Sequence, residues 1–161
     1  MLIWTIIIAL ALLLQTTVFS WFDFYGAKPD LILITVIFAS FRKGALRGAM
    51  VGFWGGLAED LASGGLLGIN AFVKVLTGYI LGSVRRKFDY RNKLFQSISV
   101  LIVSGLTQIM FFSLSQLCGQ ETGFDYMGRI FVPFAVLNGA AAPFIFRALE
   151  GIVKYDRSKP D

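Results

Sequence analysis

The sequence predicts an all-α integral membrane protein with six transmembrane helices. Of its 161 residues, 56% are hydrophobic and only 16% are charged, whereas charged residues make up about a quarter of an ordinary soluble domain. The charges are clustered between long apolar runs, which is the pattern of a polytopic membrane protein. Because six helices of about 20 residues would use most of the chain, we expect a single polytopic membrane domain, residues 1–161.

Each predicted span is an apolar run bounded by charged or turn-forming residues. The first lacks a basic leading segment and a small-residue cleavage site, so it is interpreted as a retained helix rather than a signal peptide. The second is short for a full crossing. A glycine-rich turn, SGGLLGIN, separates the third span from the fourth, and Asn70 in it is expected to cap the fourth helix. The spans are residues 2–22, 29–41, 45–61, 69–84, 94–117 and 130–149.

The distribution of basic residues predicts that both termini are cytoplasmic. Lys28 and Arg129 fall in the opposite loops and Lys74 lies inside the fourth span, while every other Lys and Arg falls on one side. The positive-inside rule makes that side cytoplasmic, where these charges face anionic lipid. A nucleic-acid role is therefore not expected. The basic residues of this side are Arg42, Lys43, Arg47, Arg85, Arg86, Lys87, Arg91, Lys93, Arg147, Lys154, Arg157 and Lys159.

The residue types available for catalysis are few. The chain has no histidine and one cysteine, Cys118, so it lacks the commonest general base and metal ligand and forms no intrachain disulfide. We predict no enzyme activity, no metal and no cofactor.

A glycine recurs at every fourth position of the third span, and the fourth span repeats this spacing. In lipid, faces of small residues allow helix backbones to approach closely, because packing drives helix association there. The spacing leaves open whether the neighbouring helix belongs to this chain or to another protein. The residues are Gly44, Gly48, Gly52 and Gly56 in or before the third span, and Asn70, Lys74, Gly78 and Gly82 in the fourth.

Charged side chains stand near one end of these two spans. Glu59 and Asp60 lie at the end of the third, and Lys74 lies one turn inside the fourth. Since an unpaired charge within a membrane is costly, Lys74 is expected to pair with Glu59 or Asp60. Three interpretations stay open: a tie between helix ends, a contact with a partner protein, or an ion or substrate site. A fourth, a catalytic pair of carboxylates, has no second nucleophile, histidine or metal cluster in the sequence to support it.

The second span opens with Lys-Pro-Asp. Pro29 suits the first position of a helix, and Asp30 in the first turn would favour the positive end of the helix dipole. Polar residues also line the first and fifth spans, among them Gln15 and Gln108. They are expected to bond between helices or, alternatively, to line a small-molecule pocket.

Three segments together resemble the MreD family of rod shape-determining membrane proteins: KPDLILI, RKGALRGAMVGFWGGLAEDL and LLGINAFVKVLTGYILGSVRR. They cover about residues 28–86, and the last two helices resemble the family in plan only. The matching residues are Pro29, Asp30, Gly48, Gly52, Gly56, Leu57, Asp60, Leu67, Gly68, Asn70, Gly78, Tyr79 and Gly82.

The resemblance implies a multi-pass protein of the bacterial inner (cytoplasmic) membrane. Members of the family work with the single-pass protein MreC and help link MreB filaments to the glycosyltransferase RodA and its transpeptidase partner. They have no known enzyme activity. The family is also similar in fold to the substrate-binding membrane subunits of energy-coupling-factor transporters, so a vitamin-type transport subunit is the alternative.

Overall fold

The computed structural model describes residues 2–17, 27–85, 92–119 and 124–157, and this part of the chain is all-helical. Six helices follow one another in it: α1 Leu2–Thr17, α2 Leu31–Lys43, α3 Ala45–Ser63, α4 Ile69–Val84, α5 Lys93–Leu117 and α6 Phe124–Arg157. The sequence placed α4 correctly and the limits of α2, α3 and α5 to within two residues. The predicted end of the first span, and most of the basic loop between α4 and α5, lie outside the described residues.

The sixth helix is the element whose length the sequence underestimated most. It was predicted over residues 130–149 and is 34 residues long. The added turns contain charged residues such as Arg129 and Glu150, which form helix well. A search for apolar runs excludes them because it measures hydrophobicity and not helix propensity.

The shortest helix, α2, lies at the centre of the fold. It contacts each of the other five helices, and every residue from Leu31 to Phe41 is buried. Its continuous apolar run, LILITVIFASF, suits a helix that is surrounded on all sides. Near its end, Phe38 packs against Trp4 of α1 and edge-on against Phe146 of α6, with ring centroids 6.5 and 5.3 Å apart.

The outer helices present large apolar side chains to their surroundings. Helix α5 and residues Gly128–Val153 of α6 are long and apolar enough to cross a membrane, while Ile3–Thr17 and α4 are apolar but shorter. Exposed apolar surface of this extent is unusual on a soluble monomer and suits contact with lipid. Examples on five helices are Leu10, Trp54, Ile80, Ile102 and Phe144.

Two ends of the bundle differ in charge. At the basic end, where α2 passes into α3, stand Arg42, Lys43 and Arg47, with Arg85 beside Gly44. At the other end α3 passes into α4, and Asp30, Glu59, Asp60 and Lys74 lie there. We call this the network end.

Candidate functional site

Backbone contact joins α3 to α4 along the glycines of α3. A Cβ atom added to Gly52 would lie 2.4 Å from the Lys74 carbonyl oxygen, and one on Gly56 would lie 2.5 Å from the Ala71 Cα. Real Cβ atoms do not approach other atoms so closely. Only glycine allows α3 to pack against α4 at this distance.

The glycines of α4 complete the same contact. A Cβ on Gly78 would lie 2.5 Å from the carbonyl carbon of Gly48, and one on Gly82 would lie 2.4 Å from the Ala45 Cα. Gly55, also on the glycine side, instead faces Ile32 of α2. In the described structure, the repeated glycines therefore pack against helices of the same chain.

Gly44 has a different place from the one expected. It lies between α2 and α3 with a φ of 92°, a left-handed conformation that glycine adopts without steric cost. Its own N–H donates to the Ser40 carbonyl and closes α2. Gly44 thus makes the turn at the basic end, and its backbone also lies against α4, since a Cβ on Gly82 would lie 2.5 Å from the Gly44 carbonyl carbon.

Lys74 connects two carboxylates inside the bundle. Its Nζ bonds to the Glu59 carboxylate and lies 2.8 Å from Asp30 Oδ2. Only 2% of Lys74 is exposed, so its ammonium group depends on these partners rather than on water. The sequence anticipated an acidic partner from the end of α3 but missed Asp30.

Asp30 also has a contact with its own helix that fixes its position. Its Oδ1 accepts a hydrogen bond from the Leu33 N–H at 2.7 Å, which makes it the N-cap of α2. The helix begins at Leu31, so Pro29 precedes the cap and is not the first helical residue. Asp30 is likewise a cap rather than an acid of the first turn, because its side chain replaces the missing partner of the Leu33 amide.

Asp60 holds the turn between α3 and α4. Its Oδ2 accepts from the N–H groups of Gly68 and Ala71 at 2.9 and 3.2 Å. Its Oδ1 accepts from the Asn70 N–H and Nδ2 at 3.1 and 3.0 Å. Asn70 was expected to cap α4, but Gly68 is the N-cap. Asp60 supplies the acceptors for the first turn that a capping side chain would otherwise provide.

Two amide side chains extend these contacts to the remaining helices. Gln15 of α1 donates from Nε2 to Glu59 Oε1 at 2.9 Å and accepts from the Leu31 N–H at 3.1 Å. Asn138 of α6 accepts from the Asp30 N–H at 2.7 Å and donates to the Ser104 hydroxyl of α5 at 3.1 Å. We call Gln15, Asp30, Glu59, Asp60, Asn70, Lys74, Ser104 and Asn138 the polar network; it joins all six helices.

A cavity of about 280 Å³ opens beside the polar network. Gln15, Lys74 and Asn70 line it together with Gln108 of α5. Polar residues of the first and fifth helices therefore face a common cavity, as they would if they lined a small-molecule pocket. Its walls offer both donors and acceptors. Within the described ranges, no group of three or more His, Cys, Asp or Glu side chains could hold a metal ion.

These features define a class: a helical membrane protein with an apolar exterior and an interior network of hydrogen-bonded polar and charged side chains. The family model of the rod shape-determining protein MreD matches residues 1–152. The chain belongs to the MreD family, which acts in determining rod shape and is not known for catalysis. The match includes the last two helices, where the sequence motifs gave only a likeness in plan.

Neither the curated proteins nor the solved structures contain a significant match. The likeness in fold to energy-coupling-factor subunits therefore gains no support from a comparison of structures.

Proposed function

We propose that this protein is a non-enzymatic scaffold of the cell-elongation complex in the bacterial inner membrane. It crosses the membrane six times with both termini in the cytoplasm. It binds MreC and helps couple MreB filaments to RodA and its transpeptidase partner. Membership of the MreD family supports the role in cell shape.

One observation carries the scaffold proposal: the charged side chains inside the bundle bond to one another or to groups of their own turn. Lys74 lies between Asp30 and Glu59, and the four bonds to Asp60 all come from its own turn. Groups that acted on a substrate would need partners left open for it. The arrangement fits a polar interior that fixes the relative positions of helices.

The glycines belong to the same proposal. Since Gly48, Gly52 and Gly56 pack against α4, they serve as helix-packing residues and not as the surface for MreC. A single transmembrane helix of a partner would then bind one of the exposed apolar faces, where close packing drives association.

Site-specific crosslinking in cells tests the partner and locates its surface. A photoreactive residue is placed at one exposed position on each of five helices: Leu10, Trp54, Ile80, Ile102 and Phe144. We expect crosslinks to MreC at one position or at two on adjacent helices, and none in a strain that lacks MreC. Protein purified in mild detergent should retain MreC as well.

Two outcomes would count against the scaffold. Absence of MreC both from every crosslink and from the purified protein would remove its principal partner. Recovery of a pair of ATPases with a coupling subunit would instead indicate a transport subunit, and the cavity beside the polar network would be the place to look for its ligand.

A further inference from the structure

A second cavity, of about 450 Å³, lies between α1 and α3 on the side away from α4. It is a groove with apolar walls along both helices. Its walls on α1 run from Trp4 to Leu12 and on α3 from Arg47 to Ala58. We propose that this groove binds one acyl chain of an anionic phospholipid, whose phosphate contacts Arg47.

The position of the groove matches one leaflet of a bilayer. From Arg47 to Ala58 a helix rises about 16 Å, and the hydrocarbon core of a bilayer is about 30 Å thick, so one leaflet is about 15 Å. The groove begins at the basic end and stops where the polar network begins, because Ala58 precedes Glu59. The length of the groove along the membrane normal therefore matches a lipid tail in one leaflet.

The charge at the mouth of the groove selects the headgroup. Arg47 is a wall residue at the basic end, and Arg42 and Lys43 are close to it along the chain. The planar guanidinium presents N–H donors in a fork that matches the oxygens of a phosphate. The excess of basic residues at this end also attracts an anionic headgroup such as phosphatidylglycerol more strongly than a zwitterionic one.

Tryptophan fluorescence can test the proposal, because Trp4 and Trp54 both line the groove. The chain has three tryptophans, so a Trp21→Phe background leaves only these two. The protein is placed in nanodiscs of phosphatidylcholine that contain rising fractions of lipid brominated on its acyl chains. We expect saturable quenching by brominated phosphatidylglycerol at fractions where brominated phosphatidylcholine has little effect.

Arg47→Gln should raise the fraction of brominated phosphatidylglycerol needed for half-maximal quenching about fivefold. This is the change expected when a strong exposed ion pair is lost. The matched control, Arg147→Gln, changes an exposed arginine of α6 that does not line the groove and should leave the curve unchanged. Ala9→Phe, which fills the groove from its exposed α1 wall, should abolish saturation while the helical circular dichroism stays native.

Equal quenching by both lipids, insensitive to Arg47→Gln, would overturn the proposal in favour of ordinary surrounding lipid. Absence of quenching would also overturn it, since the groove would then be closed or covered by protein. Neither result depends on MreC, so this experiment tests the lipid site independently of the scaffold function.

Discussion

Among the described residues one lysine or arginine is buried, Lys74, and it organises the charged side chains inside the bundle. Burial of an ion costs several kcal/mol unless it is paired, and removal of one partner leaves the others uncompensated. Lys74 has Asp30 and Glu59 as partners and is almost completely enclosed. Loss of Lys74 should therefore be more harmful than loss of all the charges together.

Lys74→Met keeps most of the side-chain volume but removes the charge. We expect the free energy of unfolding to fall by about 3–5 kcal/mol, because two buried carboxylates lose their common counter-ion. Denaturant unfolding of the protein in detergent micelles measures the change. The control is Lys28→Met, which changes an exposed lysine at the same end of the bundle and should have little effect.

The triple variant Lys74→Met, Glu59→Gln, Asp30→Asn should regain much of the lost stability. Neutral replacement of a complete buried cluster is often tolerated, and asparagine can still cap α2. A triple variant no more stable than Lys74→Met alone would show that the electrostatic explanation is wrong.

Asp60 is a residue whose role depends on having two equivalent oxygens. Each oxygen accepts two hydrogen bonds in the structure. In Asp60→Asn one oxygen becomes an NH₂ group that faces donors, so we expect a loss of about 1–3 kcal/mol and faster hydrogen exchange in residues 68–71. Ser63→Ala, in the same turn, is the control; native exchange in Asp60→Asn would contradict the assignment.

At the scale of elements, the contact of α3 with α4 depends on the absence of side chains. Gly52→Ala and Gly56→Ala would each force the two backbones apart, and we expect each to lower the free energy of unfolding by about 1–3 kcal/mol as an overpacked core does. This loss would outweigh the roughly 1 kcal/mol by which alanine favours a helix over glycine. Thermal unfolding in detergent measures the difference.

Gly128→Ala is the matched control for these variants. Gly128 is an exposed residue within α6, and a Cβ there would meet nothing within 4 Å. The Gly128→Ala variant should keep the gain in helix propensity, so its free energy of unfolding should rise slightly. If Gly52→Ala behaved in the same way, the backbones of α3 and α4 would have to be farther apart than the structure places them.

The elements and their contacts were not equally readable from the sequence. A glycine at every fourth position defines one face of a helix, so the close contact of α3 was encoded locally. The central position of α2 was not, because a helix surrounded by protein and one surrounded by lipid both need apolar side chains. Hydropathy measures only that shared requirement, so α2 appeared as a short span.

Within the polar network, too, the sequence predicted contacts between neighbouring helices and missed those between distant ones. The pairing of Lys74 with Glu59 could be anticipated because their helices are consecutive and their ends must meet. Asn138 and Asp30 are separated by 108 positions, and no local pattern indicates that α6 returns to the start of α2. Asp30 was noted only for its effect on its own helix, and its contact with Lys74 depends on how α2 packs.

For the molecule as a whole, the charged groups and the apolar faces have separate places. The polar network extends from the turn between α3 and α4 to the middle of α5 and α6. The described basic residues Arg42, Lys43, Arg47 and Arg85 lie at the opposite end of the bundle, and large apolar side chains cover the outer helices. This division allows polar contacts to fix the interior while mainly apolar side chains face the surroundings. The proposed topology places the two ends on opposite sides of the membrane.

That orientation can be measured with the chain's single cysteine. Cys118 is exposed at the end of α5, and the proposed topology, with six spans and both termini in the cytoplasm, places it on the outer side. A membrane-impermeant maleimide should label it in intact spheroplasts. Ser158→Cys in a Cys118→Ser background should react only after permeabilisation, because the proposed topology has α6 cross the membrane once between the two positions. Labelling of both positions from outside would mean that α6 does not cross the membrane, and the reverse pattern would place the basic end outward.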